Sequence, residues 1–177
     1  MQIVDLSQPL FDGMPVYPGD PEVHIKQIHS LDQEGWRLRY LQMSTHIGTH
    51  ADAFFHMDES GETIDNIPID RYIGETRLVD IDQDLPVGIG LAFCKGELNL
   101  SHFDKLHSAS PRFVVIGDSA VLDVELERKL LQSGILTITD LVNMSALPTD
   151  KPFMFYAVPL KIKNGDGSPV RAFAVLN

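Results

Sequence analysis

The chain has 177 residues, 1 cysteine and a formal net charge of −11, enough length for one domain with its own core. The acidic excess excludes nucleic acid and anionic membrane as partners, because both need a surplus of Lys and Arg. The lone Cys94 excludes an internal disulfide or a thiolate cluster from one chain, and no apolar run approaches the roughly 18–20 residues of a membrane span. With no basic-then-apolar segment in MQIVDLSQPL, the sequence predicts a cytoplasmic protein folded as a single domain over residues 1–177.

MQIVDL has the look of a short strand. FDGMPVYPGDP is too rich in Pro and Gly for regular structure and reads as a shaped loop, with Tyr17 and Pro18 as candidate pocket walls. EVHIKQIHSL alternates as a strand does, and WRLRYLQMSTHIGTHADA alternates again. ETRLVDID and PRFVVIGD are predicted strands, the second a buried run ending at Gly117. NLSHFDKLHS suits a short helix. VLDVELERKLLQSG places Leu122, Leu126, Leu130 and Leu131 at helical spacing, with Ser119 as the expected cap and Gly134 as the stop. PFMFYAVPLKI is a strand interrupted by Pro159, and SPVRAFAVL closes the chain as a strand. VGIGLAF lacks the third glycine and the helix start of a dinucleotide site. The predicted fold is α/β, a β-rich domain with a mixed sheet and two or three helices, not a doubly wound one.

The most informative stretch is STHIGTHADAFFH, which crowds His46, His50 and His56 around Asp52 although the chain holds only 7 histidines. In an extended chain alternate side chains share a face, so His46, Gly48, His50 and Asp52 are expected to point one way. Gly48 would leave room for an ion between the histidines. A bend near Ala53–Phe54 could bring His56 back as a third ligand. Two imidazoles, one carboxylate and an open position suit Zn²⁺, Mn²⁺ or Fe²⁺. Such an ion lowers the pKa of bound water towards roughly 7 and polarises a carbonyl, which fits amide or ester hydrolysis. On this reading His46 hydrogen-bonds the ligands or the water from just outside the coordination sphere.

HIGTHADAFFH resembles the metal-binding motif of the cyclase family, whose members include the bacterial kynurenine formamidases. The family pattern is His-x-Gly-Thr-His-x-Asp-x-Pro-x-His. The chain matches at His46, Gly48, Thr49, His50, Asp52 and His56, and departs at Phe54. DLSQPLFDGMPVYPGDP, ETIDNIPIDRYIGETRLVDI and PLKIKNGDGSPVRAFAVL are similar to other family segments, whereas residues 85–120 match poorly. The resemblance implies metal-dependent hydrolysis of a small amide, ester or lactone-like substrate, with His50, Asp52 and His56 as ligands. It also implies a homo-oligomer, a dimer or tetramer, with no nucleic-acid or membrane partner. Zn²⁺ is the expected metal and Mn²⁺ the alternative.

Family members hold a second metal through a further His and Glu. Here ERKLLQSGILTITDL places Glu127 or Arg128 at the first position and Thr139 at the second, with Asp140 one step away. Glu127 could supply an oxygen; Arg128 cannot ligate, since it stays protonated. The family's general acid/base histidine is also missing, leaving Asp58 or Glu59, with His46, as candidate catalytic groups. These departures keep a second reading open, a catalytically degenerate member that binds a metal or small molecule without turnover.

Overall fold

The structure is a computed structural model and describes residues 1–176. In chain order the strands are β1 (Gln2–Asp5), β2 (His24–His29), β3 (Leu38–Gln42), β4 (His50–Asp52), β5 (Ile73–Leu78), β6 (Gly90–Leu98), β7 (Phe113–Leu122), β8 (Leu136–Leu141), β9 (Phe153–Tyr156), β10 (Gly167–Pro169) and β11 (Phe173–Leu176). Two α-helices, α1 (Phe103–Ala109) and α2 (Val124–Gln132), lie between β6 and β8. Nine strands form one mixed sheet in the order β1-β11-β9-β5-β6-β7-β8-β4-β10, while β2 and β3 pair apart from it.

The centre of the sheet, β5 to β8, is parallel, and its neighbours on both sides are antiparallel. Period-two alternation sorts its side chains. Phe113 and Val115 of β7 enter one core, with Leu136 and Ile138 of β8 and Phe155 of β9. Val114 and Ile116 face the other way, onto Leu106 of α1 and Leu126 and Leu130 of α2. Both helices therefore cover a single face of the parallel strands.

The α/β expectation with a mixed sheet and few helices matches this architecture, but several elements differ in extent. The strand expected to stop at Gly117 runs on to Leu122, with its register shifting at Gly117. Ser119 therefore lies inside β7. The cap of α2 is Asp123, whose carboxylate accepts from the backbone N–H of Glu125 and Leu126, as its short acceptor side chain favours. WRLRYLQMSTHIGTHADA is not one strand: β3 ends at Gln42, and β4 begins only at His50. Pro159, which cannot donate to a ladder, lies beyond the end of β9 and makes a lone bridge to Val170. The segment read as one closing strand is split into β10 and β11. Arg171 between them pairs with Asp5 through two hydrogen bonds of 3.0 and 2.6 Å.

Candidate metal centre

The site forms where β8, β4 and β10 run side by side on the helix-bearing face. His50 of β4 stands opposite Thr139 of β8, and Ala51 stands opposite Ile138. Since Ile138 and Ala51 enter the core beneath, Thr139 and His50 must point to the opposite face. Two residues along that face, Thr137 Oγ donates to Asp52 Oδ2 at 2.8 Å.

His46 reaches the same point by another route. Residues 43–49 are turned rather than extended, and Gly48 has φ +56°, a conformation glycine adopts without steric penalty. Thr49 pins the turn, donating to the Asp140 carbonyl at 2.7 Å and accepting from Gln8 N–H at 2.9 Å. Gly48 thus makes the bend rather than room for an ion; a Cβ there would meet Leu10 and Met14. Its carbonyl accepts from His50 Nδ1 at 2.7 Å.

Asp52 Oδ1 lies 2.8 Å from His46 Nδ1 and 3.5 Å from His50 Nε2. The donor atoms of His46, His50 and Asp52 all lie within 4.8 Å of one another. The far atom of each group is held elsewhere. His46 Nε2 faces Asp166 Oδ2 at 3.0 Å, His50 Nδ1 meets the Gly48 carbonyl, and Asp52 Oδ2 takes the Thr137 hydroxyl. Ligands whose outer atoms are already oriented by carboxylate, carbonyl and hydroxyl make a donor set suited to one divalent cation. Asp52 is only 1 % exposed, and an unpaired carboxylate that deep would be costly, so positive charge has to accompany it.

The expected ligand trio was His50, Asp52 and His56. The structure puts His46 in the compact group with His50 and Asp52, and joins His56 to a second group with His46 and Asp166. The reason is local: Phe54–His56 is a single 3-10 turn after β4. It lays the His56 ring against His46 with centroids 3.9 Å apart rather than folding it back onto Asp52.

Glu127 does come to the site. Thr137 Oγ also lies 3.3 Å from Glu127 Oε1, so the α2 carboxyl shares that hydroxyl with Asp52. Arg128 turns outward to pair with Glu125 at 3.5 Å. Thr139 Oγ is 3.2 Å from His50 Nε2. Among the described residues, no group of ligand-type side chains gathers around Glu127. Asp58 and Glu59 do not line the cleft. Asp58 is held by the Ser60 hydroxyl and N–H at 2.7 and 2.9 Å, which lower its pKa, the opposite of what neutral-pH acid catalysis needs.

The electrostatics follow from buried carboxylates. Burial opposes charge on His46, but the hydrogen bonds and charges of Asp52 and Asp166 outweigh it and raise its pKa to about 9. Burial also opposes charge on Asp52, yet the imidazoles, His50 first, hold its pKa down. Burial and the neighbouring His46 depress His56. Burial, then the Asp52 charge, push Glu127 up to about 8.

The cluster opens into a cleft of about 800 Å³. His56, Met57 and Tyr17 line it beside the metal group, and Ile116, Leu122 and Val124 supply apolar wall. Ser44 Oγ, also in the lining, is buried without a hydrogen-bond partner among the described residues. Sequence reasoning missed Asp166 altogether. It stands just before SPVRAFAVL, the segment read as the closing strand, and only pairing of β10 with β4 sets it over His46. Thr137 carried no signal either, since its role depends on a register between strands distant in sequence.

The profile of the family described as "Putative cyclase" matches residues 4–97. A kynurenine formamidase of Salinibacter ruber (strain DSM 13855 / M31) is 27% identical over 206 residues, spanning 97% of this chain and 96% of that protein. One from Bacillus anthracis is 26% identical over 204 residues, spanning 96% and 95%. Among solved structures, isatin hydrolase A from Ralstonia solanacearum superposes with TM-score 0.81 at 18% identity, covering 99% of this chain and 92% of that one. A protein described as a metal-dependent hydrolase from Bacillus stearothermophilus gives TM-score 0.74 at 22% identity, covering 98% and 97%.

Proposed function

This chain belongs to the cyclase family, and on that premise we propose that it is a metal-dependent hydrolase of a small neutral amide, of the aryl-formamide or cyclic-amide type, or of a related ester or lactone. The observation that carries the reading is the convergence of His46 Nδ1, His50 Nε2 and Asp52 Oδ1 at the floor of an open cleft, each with its outer atom already tied. The names of the relatives, kynurenine formamidase and isatin hydrolase, point to the same bond type.

His46, His50 and Asp52 would hold one divalent cation, Zn²⁺ or Mn²⁺. When bound, it supplies Lewis-acid chemistry, polarising a carbonyl and acidifying water. The remaining roles belong to side chains of the cleft. His56 stands beside the metal group at the cleft wall and is the proton acceptor, returning the proton to the leaving amine. Ser44 Oγ offers a hydrogen bond to the bound substrate. Tyr17, Ile116 and Leu122 cover its apolar part and exclude water from it.

The rival reading, binding without turnover, drew its support from the lack of second-metal ligands and of an acid/base histidine. His56 fills the second of these roles once His46 is counted as the ligand. Glu127 is accommodated without a second ion, since Thr137 and Asp52 satisfy its carboxyl.

We place the protein in the cytoplasm as a homo-oligomer, a dimer or tetramer. The β2–β3 ribbon leaves Trp36, Tyr40 and Leu41 exposed, and a two-stranded ribbon is marginal without a covering surface. A second copy is the proposed cover, and light scattering on the purified protein would test it.

The experiment that tests the function measures bound metal and formanilide hydrolysis together. His50→Ala should lose the metal and the activity. His56→Ala should keep the metal and lose about 10²–10⁴-fold in turnover. Metal retained at wild-type stoichiometry in His50→Ala would refute the ligand set.

A further inference from the structure

Asp166 stands just before β10. Its carboxylate faces the His46 ring and the Thr45 hydroxyl. Oδ2 lies 3.0 Å from His46 Nε2 and 3.9 Å from His56 Nδ1. Oδ1 accepts from Thr45 Oγ at 2.9 Å, which fixes the rotation of the carboxylate. Its backbone carbonyl accepts from Ala53 N–H at 2.8 Å, tying the turn to the segment that carries Asp52 and His56. The next residue, Gly167, leaves only enough space for the His46 ring to lie against the backbone.

A neutral imidazole carries one N–H, and the partner of that N–H decides which nitrogen keeps its lone pair. His46 has a carboxylate at each nitrogen. Asp52 is also near His50 and can share a cation with both rings. Asp166 faces the other ring nitrogen, 3.0 Å from Nε2, where it accepts the remaining proton when Nδ1 keeps its lone pair. We propose that Asp166 is the positioning residue of the metal centre: it takes the Nε2–H of His46, leaves Nδ1 as the metal donor, and holds the ring in register with His50 and Asp52. In this role it acts through His46, whose ring stands between it and Asp52. The same oxygen lies 3.9 Å from His56 Nδ1, beyond hydrogen-bond reach, so its hold is on His46.

This inference rests on the metal reading above, and the experiment separates the two. Zn²⁺ affinity is measured by competition with a chromophoric chelator in wild type, Asp166→Ala, Asp166→Asn and Thr45→Val. Each protein's thermal midpoint is measured without metal, and the visible spectrum is recorded with Co²⁺. Removing a group that orients a metal-bound imidazole costs about 10–100-fold in affinity, and that loss is expected for Asp166→Ala, with an altered Co²⁺ spectrum and a metal-free protein that still unfolds in one cooperative transition. Asp166→Asn can still accept the N–H through its amide oxygen and should lose less. Thr45→Val, which frees the carboxylate to rotate, should also weaken Zn²⁺ binding. Affinity within about twofold of wild type in Asp166→Ala overturns the assignment. Should that variant fail to fold, wild-type affinity in both Asp166→Asn and Thr45→Val overturns it instead. Failure of wild type to bind Zn²⁺ or Co²⁺ overturns the metal reading, and this inference with it.

Discussion

Replacing Gly167 with alanine puts a single methyl group against the proposed ligand set. Gly167 pairs with Asp52 across β10 and β4 and does not need the left-handed backbone that favours glycine, so alanine fits its main-chain conformation. The space is the obstacle. A Cβ at this position would sit 2.5 Å from His46 Cε1 and 3.0 Å from both ring nitrogens. Carbon atoms pack at about 3.5–4.0 Å, so the ring would have to retreat by about 1 Å or more. Metal-ligand distances tolerate only about 0.2 Å. The expected loss of Zn²⁺ affinity is therefore about 10–100-fold, or about 1.4–2.8 kcal/mol. Overpacking should cost the metal-free fold about 1–3 kcal/mol as well. Chelator competition reads the first effect and urea unfolding of the metal-free protein the second. Wild-type Zn²⁺ affinity in Gly167→Ala would show that the His46 ring does not need its place against β10, and would remove His46 from the ligand set.

Further expectations follow from the same geometry. A cation must displace the proton that His46 holds up to about pH 9, so apparent Zn²⁺ affinity should rise with pH, about tenfold per unit between pH 6 and 8 for one proton released; an affinity flat over that range would refute it. Glu127 keeps its proton to about pH 8 in the folded protein but would lose it near pH 4.5 when unfolded, so its burial lowers stability progressively as pH rises through that window. Glu127→Gln removes that cost and should stabilise the metal-free protein at pH 8 by about 1–3 kcal/mol without changing the metal count; equal unfolding midpoints, or loss of metal, would count against it.

The clustered side chains were legible in the sequence, but the way they divide into groups was not. The motif spacing exposed His46, His50, Asp52 and His56 as a chemical cluster. Strand alternation then placed His50 and Asp52 correctly on one face, because β4 is a real strand over those residues. His46 joins them at the same point, but through a turn with positive φ at Gly48 rather than by strand alternation. Counting residues places His56 near Asp52, whereas the 3-10 turn over Phe54–His56 lays its ring on His46. β6 and β8, both in the parallel centre, went unread: GLAFCKGEL and LTITDL are of mixed polarity, and their strand character comes from being flanked on both sides. Glu127 read equally well as a solvated helix residue, and only docking of α2 over β8 gave it Thr137 and Asp52 as neighbours.

Electrostatics explain why these pieces belong together. Asp20, Asp52, Asp118, Glu127, Asp140 and Asp166 line the cleft, and among the described residues no Lys or Arg does. Negative charge brought that close, in a chain already carrying −11, repels itself unless something positive is supplied. The protein meets part of the demand by keeping Glu127 protonated and raising His46, both of which store protons at neutral pH. A divalent cation held by His46, His50 and Asp52, as proposed, would answer the same demand more strongly and would release the His46 proton as it binds. Glu127 and His46 thus respond to one excess of charge by different routes. That is why removing the Glu127 carboxyl should stabilise the metal-free fold, while disturbing His46, through Gly167 or Asp166, should weaken the metal.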